Sequence, residues 1–268
     1  MKLGVIGCGK MASALVEGAI NAGALAPADV VACNRSASGL AAFIKATGAT
    51  PAKDATEIGG KCDTILLATK PYDVLAVLAQ AAEGANGQPR LAISIAAGLT
   101  LTTLEDAAPE TFRLIRTMPN TPVMVGKGAT AFSTGSRATA DDAEAVRRLL
   151  GAVGLVFEMP EKLIDSVSGV SGSGPAYIYL VIEAMADGGV KAGLARADAI
   201  RLAAQTVFGA AAMVLETGLH PAVLKDQVTS PGGTTIAALA ELERNGVRSA
   251  FIDAIGAAVR RAGEMGKA

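Results

Sequence analysis

Gly7, Gly9 and Ala12 stand in the spacing G-x-G-x-x-A, within Gly7-Cys8-Gly9-Lys10-Met11-Ala12. They close a candidate strand, Lys2–Gly7, and open a helical pattern over Met11–Ala22. Strand, turn and helix in that order is the context in which this spacing carries chemistry. Gly7 permits a tight turn, Gly9 lets a pyrophosphate reach the backbone, and Ala12 lets the helix pack closely on a sheet. Ile6 precedes the turn, and Lys10 and Met11 follow it at the helix N-terminus, whose N–H groups and dipole suit phosphate.

The end of a second candidate strand, Val30–Asn34, selects between dinucleotides, because an Asp or Glu there bonds a free ribose hydroxyl. This chain has Asn34-Arg35-Ser36 instead, with no carboxylate to repel a 2′-phosphate. Arg35 suits pairing with that phosphate and stacking on adenine, and Ser36 suits a hydrogen bond to it. NADPH is therefore the expected cofactor, with NADH possible. Ala68-Thr69-Lys70-Pro71 ends a third strand, Thr64–Thr69, on the side where ligands bind. Ala96-Ala97-Gly98 offers small residues against which a flat nicotinamide ring can lie. Asn120 brings one amide into the rigid turn Met118-Pro119-Asn120-Thr121-Pro122.

Toward the other end, Ser230-Pro231-Gly232-Gly233-Thr234-Thr235 precedes an apolar helical pattern. Two glycines let the backbone curl into an N–H nest, and Thr234 or Thr235 can cap the helix. Ser230, Gly232, Gly233, Thr234 and Thr235 are candidate contacts for a substrate carboxylate. The single histidine, His220, precedes Pro221 and has no evident carboxylate to orient it, so it reads as a loop residue. Reduction of a ketone or aldehyde usually needs a proton donor. A protonated imine carries its own activation, and a site poor in acids is compatible with reducing one.

The elements that must position these residues alternate through the first half. Further strands are expected at Leu91–Ala96, Phe112–Met118, Ala129–Ser133 and Leu155–Glu158. Helices are expected at Ser38–Thr47, from Pro71 to about Ala82, and around Asp141–Leu150. Such alternation predicts a parallel α/β sheet with right-handed crossovers. From Glu161 onward the patterns are helical only: Lys162–Gly169, Gly174–Ala192, Arg196–Thr217, Pro221–Val228, Thr235–Asn245 and Val247–Glu264. The expected domains are residues 1–160, a dinucleotide-binding Rossmann domain, and 161–268, an all-helical domain. Leu202–Leu215 carries no charge and is apolar nearly all round, so it is expected to pack against a second subunit.

Composition bounds the alternatives. The chain has 268 residues and a formal net charge of -1, which excludes a broad basic surface for nucleic acid. Hydrophobic residues make up 51% against 18% charged, too apolar for disorder. Cys8, Cys33 and Cys62 lack metal or disulfide spacing, so no metal is expected and a reducing cytoplasm fits. No secretory leader is read at the start, and Ser166–Ile182, though uncharged, carries Gly, Ser and Pro that argue against a membrane span.

Taken together, several stretches resemble the pyrroline-5-carboxylate reductase family. They are Val5–Ala12, Asn34–Ser36, Ala68–Pro71, Ser94–Gly98, Arg116–Pro122, Gly169–Tyr177 and Leu224–Ile236, in order over nearly the whole chain. The resemblance implies reduction of L-1-pyrroline-5-carboxylate to L-proline, the final step of proline synthesis, by hydride transfer to the C=N carbon. It implies an intertwined dimer, often built into a decamer, with each active site between one subunit's cofactor and the partner's helices. It places the substrate carboxylate at Ser230–Thr235 and makes Thr235 the candidate proton donor, with ordered water as the alternative. Lys53 departs from relatives that have Asn near this point to contact the adenosine.

Three rivals are weighed. A β-hydroxyacid dehydrogenase needs a lysine where alignment on Gly169, Gly172 and Gly174 puts Ile178. A reductase of a six-membered cyclic imine differs only in packing around the ring. A nucleotide sensor would need no carboxylate nest.

Overall fold

Short runs rich in Val, Ile and Leu become strands here because helices cover both of their faces. The computed structural model describes residues 1–265. It begins with β1 (Leu3–Ile6), α1 (Lys10–Asn21), β2 (Val30–Cys33), α2 (Ala37–Thr47), a two-residue β3 (Thr50–Pro51) and α3 (Ala55–Lys61). There follow β4 (Thr64–Leu67), α4 (Pro71–Ala85), β5 (Arg90–Ser94), α5 (Leu101–Asp106) and β6 (Phe112–Met118). The sheet is completed by β7 (Gly128–Thr134), α6 (Ala140–Gly151) and β8 (Gly154–Glu158).

The strand order is β3-β2-β1-β4-β5-β6-β7-β8. Chain direction through the sheet reverses between β1 and β4, where Ile6 pairs in register with Leu67. Along β1, Leu3 and Val5 join one core with Leu15 and Val16 of α1, Phe43 of α2 and Val146 of α6. Ile6 joins the opposite core with Ile58 of α3, Val74 and Leu78 of α4 and Leu104 of α5. Every residue of β1, β2 and β4 is buried, as a parallel sheet covered on both faces requires.

One expectation fails. β7 runs antiparallel to β6, with Arg116 opposite Ser133. The link from Pro119 to Lys127 holds one short 3-10 helix, Thr121–Val125, and is too short for the helical crossover that a parallel neighbour needs. A true crossover through α6 then makes β8 parallel to β7.

β3, α3 and α5 were not expected. The α3 sequence, Ala-Thr-Glu-Ile-Gly-Gly-Lys, is short and carries two glycines, which are poor helix formers. Its glycines serve packing: a Cβ on Gly59 would fall 1.9 Å from the Ala81 carbonyl oxygen of α4. On the other side of that contact, a Cβ on Gly84 would fall 1.8 Å from the Thr56 carbonyl oxygen. Asp54 starts α3 by accepting from the Glu57 N–H at 2.9 Å.

After β8 come α7 (Ile164–Val167), a π-type turn over Ser168–Gly172, α8 (Gly174–Lys191), α9 (Arg196–Thr217), α10 (Pro221–Gln227), α11 (Thr234–Arg244) and α12 (Val247–Met265). By packing, the described residues divide into Met1–Ser173 with 257–265, and Gly174–Gly256. Within the second unit, Ala186 of α8 packs on Ala199 and Ala203 of α9. Small residues bring these two helices close. The rest of α9 is largely uncovered in the single chain, with Leu202 57%, Phe208 54% and Leu215 68% exposed. By length and composition α9 is also long and apolar enough to cross a membrane.

Candidate active site

The reversal between β1 and β4 opens a cleft of about 1090 Å³ at the carboxyl ends of the strands. In doubly wound sheets ligands bind at such a switch point. Gly7 turns the chain there at φ 98°, and a Cβ on it would lie 2.7 Å from the Ala68 carbonyl carbon. Its N–H donates to the Cys33 carbonyl at 3.0 Å. Gly9, at the N-cap of α1, differs: a Cβ there would meet nothing within 4 Å. The cleft is open where the backbone N–H groups begin, and no side chain caps them.

A second observation bears on what this cleft holds. Thr69 Oγ1, at the mouth of β4, is buried and has no hydrogen-bond partner. An orphaned buried hydroxyl costs about 1–3 kcal/mol unless something bonds it. An open glycine, an uncapped helix N-terminus and this hydroxyl on one wall fit the phosphates and ribose of a dinucleotide. Lys10, Lys53 and Lys70 stand exposed on the same rim.

Most of the expected cofactor residues meet in this cleft: Ile6, Gly7, Gly9, Lys10, Met11, Asn34, Arg35, Ala68, Thr69, Lys70, Pro71, Ala96, Ala97 and Asn120. Ala12, Ser36 and Gly98 do not line it. Ala12 is 1% exposed and packs α1 onto the sheet. Ser36 caps α2, accepting from the Gly39 N–H at 3.3 Å, and pairs with Ser38. Gly98 turns the chain after β5 at φ 83°.

Two amides that looked available for a ligand hold loops in place. Asn34 Oδ1 accepts from the Cys8 N–H at 3.2 Å, and its Nδ2 donates to the Ser36 carbonyl at 3.1 Å. The fingerprint turn is thereby tied to the end of β2. Asn120 accepts from the Ala129 N–H at 2.9 Å and donates to the Ser171 carbonyl at 3.1 Å. That bond anchors the π-type turn, whose Gly172 reaches the cleft. A Cβ on Gly172 would come 2.6 Å from Met118 Cε.

Arg116 received no role from its sequence, yet it is 5% exposed and ion-paired to Glu161 at 3.1 Å and Asp165 at 2.8 Å. Glu161 also accepts from the Leu101 N–H at 2.6 Å. The residues before Gly174 are thus locked to β6 and to the start of α5.

The Arg35 end of the cleft differs from expectation. No carboxylate was expected beside Arg35, but Asp73, in the first turn of α4, lies 3.7 Å from its guanidinium. Distant segments supply what the end of β2 lacks. A Pro71 helix start directs the next residues over the strand ends, and that signal was available in the sequence.

Burial pushes the Cys8 thiol up to about 12, with Cys33 adding to the effect. Cys33 rises to about 11 by burial and the nearby Asp54 and Glu57 carboxylates. Neither supplies a thiolate nucleophile near neutral pH.

The nest residues lie in the second unit. Gly232 takes φ 68°, and the Gly233 N–H donates to the Ser230 carbonyl at 3.1 Å. Gly233 is the N-cap of α11, so Thr234 and Thr235 are its first residues and neither caps it. The expected threonine cap is therefore wrong: extended Gly233 completes the turn one residue earlier than a threonine cap would. No side chain accepts from the first N–H groups of α11. His220 caps α10, its Nδ1 accepting from the Ala222 N–H at 3.2 Å. Ile178, where a hydroxyacid dehydrogenase would have lysine, sits in α8.

Comparison with known proteins agrees with this arrangement. Residues 161–265 match the family described as pyrroline-5-carboxylate reductase dimerisation, and residues 2–98 match NADP oxidoreductase, coenzyme F420-dependent. The pyrroline-5-carboxylate reductase of Methanosarcina acetivorans is 45% identical over 99% of this chain and 98% of its own. The structure of the Coxiella burnetii pyrroline-5-carboxylate reductase covers 100% of this chain and 99% of its own, with a TM-score of 0.93 at 36% identity. A Plasmodium falciparum pyrroline carboxylate reductase with NADP bound has a TM-score of 0.88 at 33% identity, covering 99% and 98%. Identity at this level runs through both the dinucleotide-binding half and the helical half, so the chain belongs to the pyrroline-5-carboxylate reductase family.

Proposed function

We propose that the chain reduces the C=N bond of L-1-pyrroline-5-carboxylate to give L-proline, with NADPH as cofactor and NADH as a weaker alternative. The cleft between β1 and β4 carries this reading, with Gly9 open and Thr69 Oγ1 unpaired on one wall. Family membership supports the substrate, and the NADP-bound Plasmodium relative supports the cofactor.

When bound, NADPH supplies the hydride. The Gly7–Ala12 turn and the α1 N-terminus would hold its pyrophosphate, Arg35 would face its 2′-phosphate, with Ser36 capping α2 just outside the cleft lining, and Thr69 would bond its ribose. Lys70 lies on the same rim. Ala96 and Ala97 leave room for a flat ring, and Gly98 bends the chain away behind it. Uncapped N–H groups at Gly233–Thr235 bond the substrate carboxylate, with Ser230 and Gly232 shaping the nest. Thr235 Oγ1 would supply the one proton that converts the ring nitrogen to the iminium, and the carbon so activated would take the hydride, leaving the neutral ring amine. Because the substrate is activated as a protonated imine, alignment does most of the work.

The apolar surface of α9 that the single chain leaves uncovered supports self-association, which we read as an intertwined dimer. That surface lies within the match to the dimerisation family, so a partner subunit accounts for it better than a bilayer. Each cleft is then closed by the partner's Ser230–Thr235 segment, and dimers can assemble into a decamer. The reading places the enzyme in the cytoplasm, where three free cysteines stay reduced.

Initial rates of NADPH oxidation with pyrroline-5-carboxylate test the proposal, run beside NADH and beside the six-membered imine. Fast turnover of the five-membered ring with NADPH is the expected result. A folded protein that binds NADPH but turns over neither imine would sink it. Thr235→Val retaining full turnover would pass the proton-donor role to water.

A further inference from the structure

Arg35 and Asp73 reach each other from opposite sides of β1, since β2 and β4 flank it in the sheet. The Arg35 side chain is 84% exposed, and Asp73 is its ion-pair partner at 3.7 Å. Their pairing therefore spans the mouth of the cleft at its adenosine end.

Two carboxylates line this end, and their duties differ. Asp54 is committed to the fold, capping α3 through the Glu57 N–H. Asp73 is not. Among the described residues its carboxylate has Arg35 as its one side-chain partner and caps no helix.

We propose that Asp73 is a specificity-determining residue that competes with a 2′-phosphate for the Arg35 guanidinium and so moderates the preference for NADPH over NADH. The inference rests on reading the cleft as an NADP site. A 2′-phosphate carries close to two negative charges. It must displace Asp73 from Arg35 and then remain beside it. A ribose lacking the phosphate meets the opposite situation, because its hydroxyls can donate to Asp73. In NAD enzymes a carboxylate at the end of β2 does that work. Here α4 supplies it, while β2 supplies the phosphate-binding arginine. Both recognition elements thus face one ribose.

The test uses the full chain, Asp73→Asn and, as a second variant, Asp73→Ser. Equilibrium titrations with adenosine 2′,5′-bisphosphate and with 5′-AMP read binding alone, and kcat/KM for NADPH and NADH reads catalysis. Removing one like charge at the rim is expected to raise the bisphosphate:AMP affinity ratio by about three- to tenfold, an effect that shrinks in high salt. The NADPH:NADH ratio should rise in parallel, with NADH losing efficiency. An unchanged or lowered ratio in both variants, with nucleotide binding intact, overturns the role of Asp73 and leaves the cofactor reading standing. A wild-type chain that binds neither nucleotide overturns both.

Discussion

The Arg116 guanidinium donates to the Asp165 carboxylate at 2.8 Å from a side chain only 5% exposed. It also reaches Glu161, so one buried cation joins the end of β6 to the segment that leads into the helical half. Removing it leaves two carboxylates facing each other. Arg116→Met should lower stability by about 2–4 kcal/mol, read as a reduced urea midpoint. Arg116→Lys should recover only part, because a single ammonium cannot make both bonds in that geometry. A midpoint unchanged in Arg116→Met would show that the pairing adds nothing to stability.

Gly7 and Gly9 belong to one motif but should fail in different ways. Gly7→Ala puts a Cβ at φ 98° and 2.7 Å from backbone, so it should cost at least about 2 kcal/mol. Gly9→Ala sits at φ −81° in open space. Its melting temperature should hold or rise slightly, while NADPH affinity falls by at least about tenfold as the methyl takes the phosphate's place. Calorimetry paired with nucleotide titration separates the two. Equal thermal losses in both variants would contradict the assignment.

Thr69→Val keeps shape and removes the unpaired hydroxyl. Without nucleotide the variant should be more stable by about 1 kcal/mol, since the orphaned oxygen is gone. With nucleotide the sign should reverse: NADPH binding should weaken by about three- to tenfold, one hydrogen bond's worth. Melting curves with and without NADPH would show the crossing. A variant less stable in both states would mean that Thr69 Oγ1 serves the fold.

The three thiols should stay silent in the native state and respond to alkali. Burial pushes Cys8 to about 12, Cys33 to about 11 and Cys62 to about 11, against 9.0 for an exposed thiol. The unfolded chain therefore releases these protons first. Stability from keeping the thiols neutral is present below pH 9.0 and is lost as pH rises through 11 to 12. Urea midpoints should decline across that window, less steeply in Cys8→Ala. At pH 8 a thiol-specific disulfide reagent should label none of the three in the native protein and all of them in denaturant. Rapid native labelling would contradict the burial.

Much of this was legible in the sequence because it is local. The strand, turn and helix around Gly7–Ala12 are legible because all three lie close together in the sequence. The helical half was legible from apolar periodicity, although α11 begins one residue earlier than expected because Gly233 completes the turn. α3 was not legible. Its two glycines lower helix propensity, and only the close approach to α4 gives them a reason to be there.

The order of chemistry-bearing motifs and the alternation of strands and helices determined the family, the dinucleotide fold and the place of the nucleotide turn. Side-chain partnership was decided by the tertiary structure alone. Asn34 and Asn120 have both ends of their amides engaged with backbone groups, Asn120 reaching from Ala129 to Ser171. The antiparallel turn of β7 follows from a short connection whose direction depends on what it must pack against. Asp73 stands beside Arg35 only because α4 crosses from β4 on the far side of β1. A sequence lists charges along one line, whereas a cleft sums the fields of segments that the sheet has folded together.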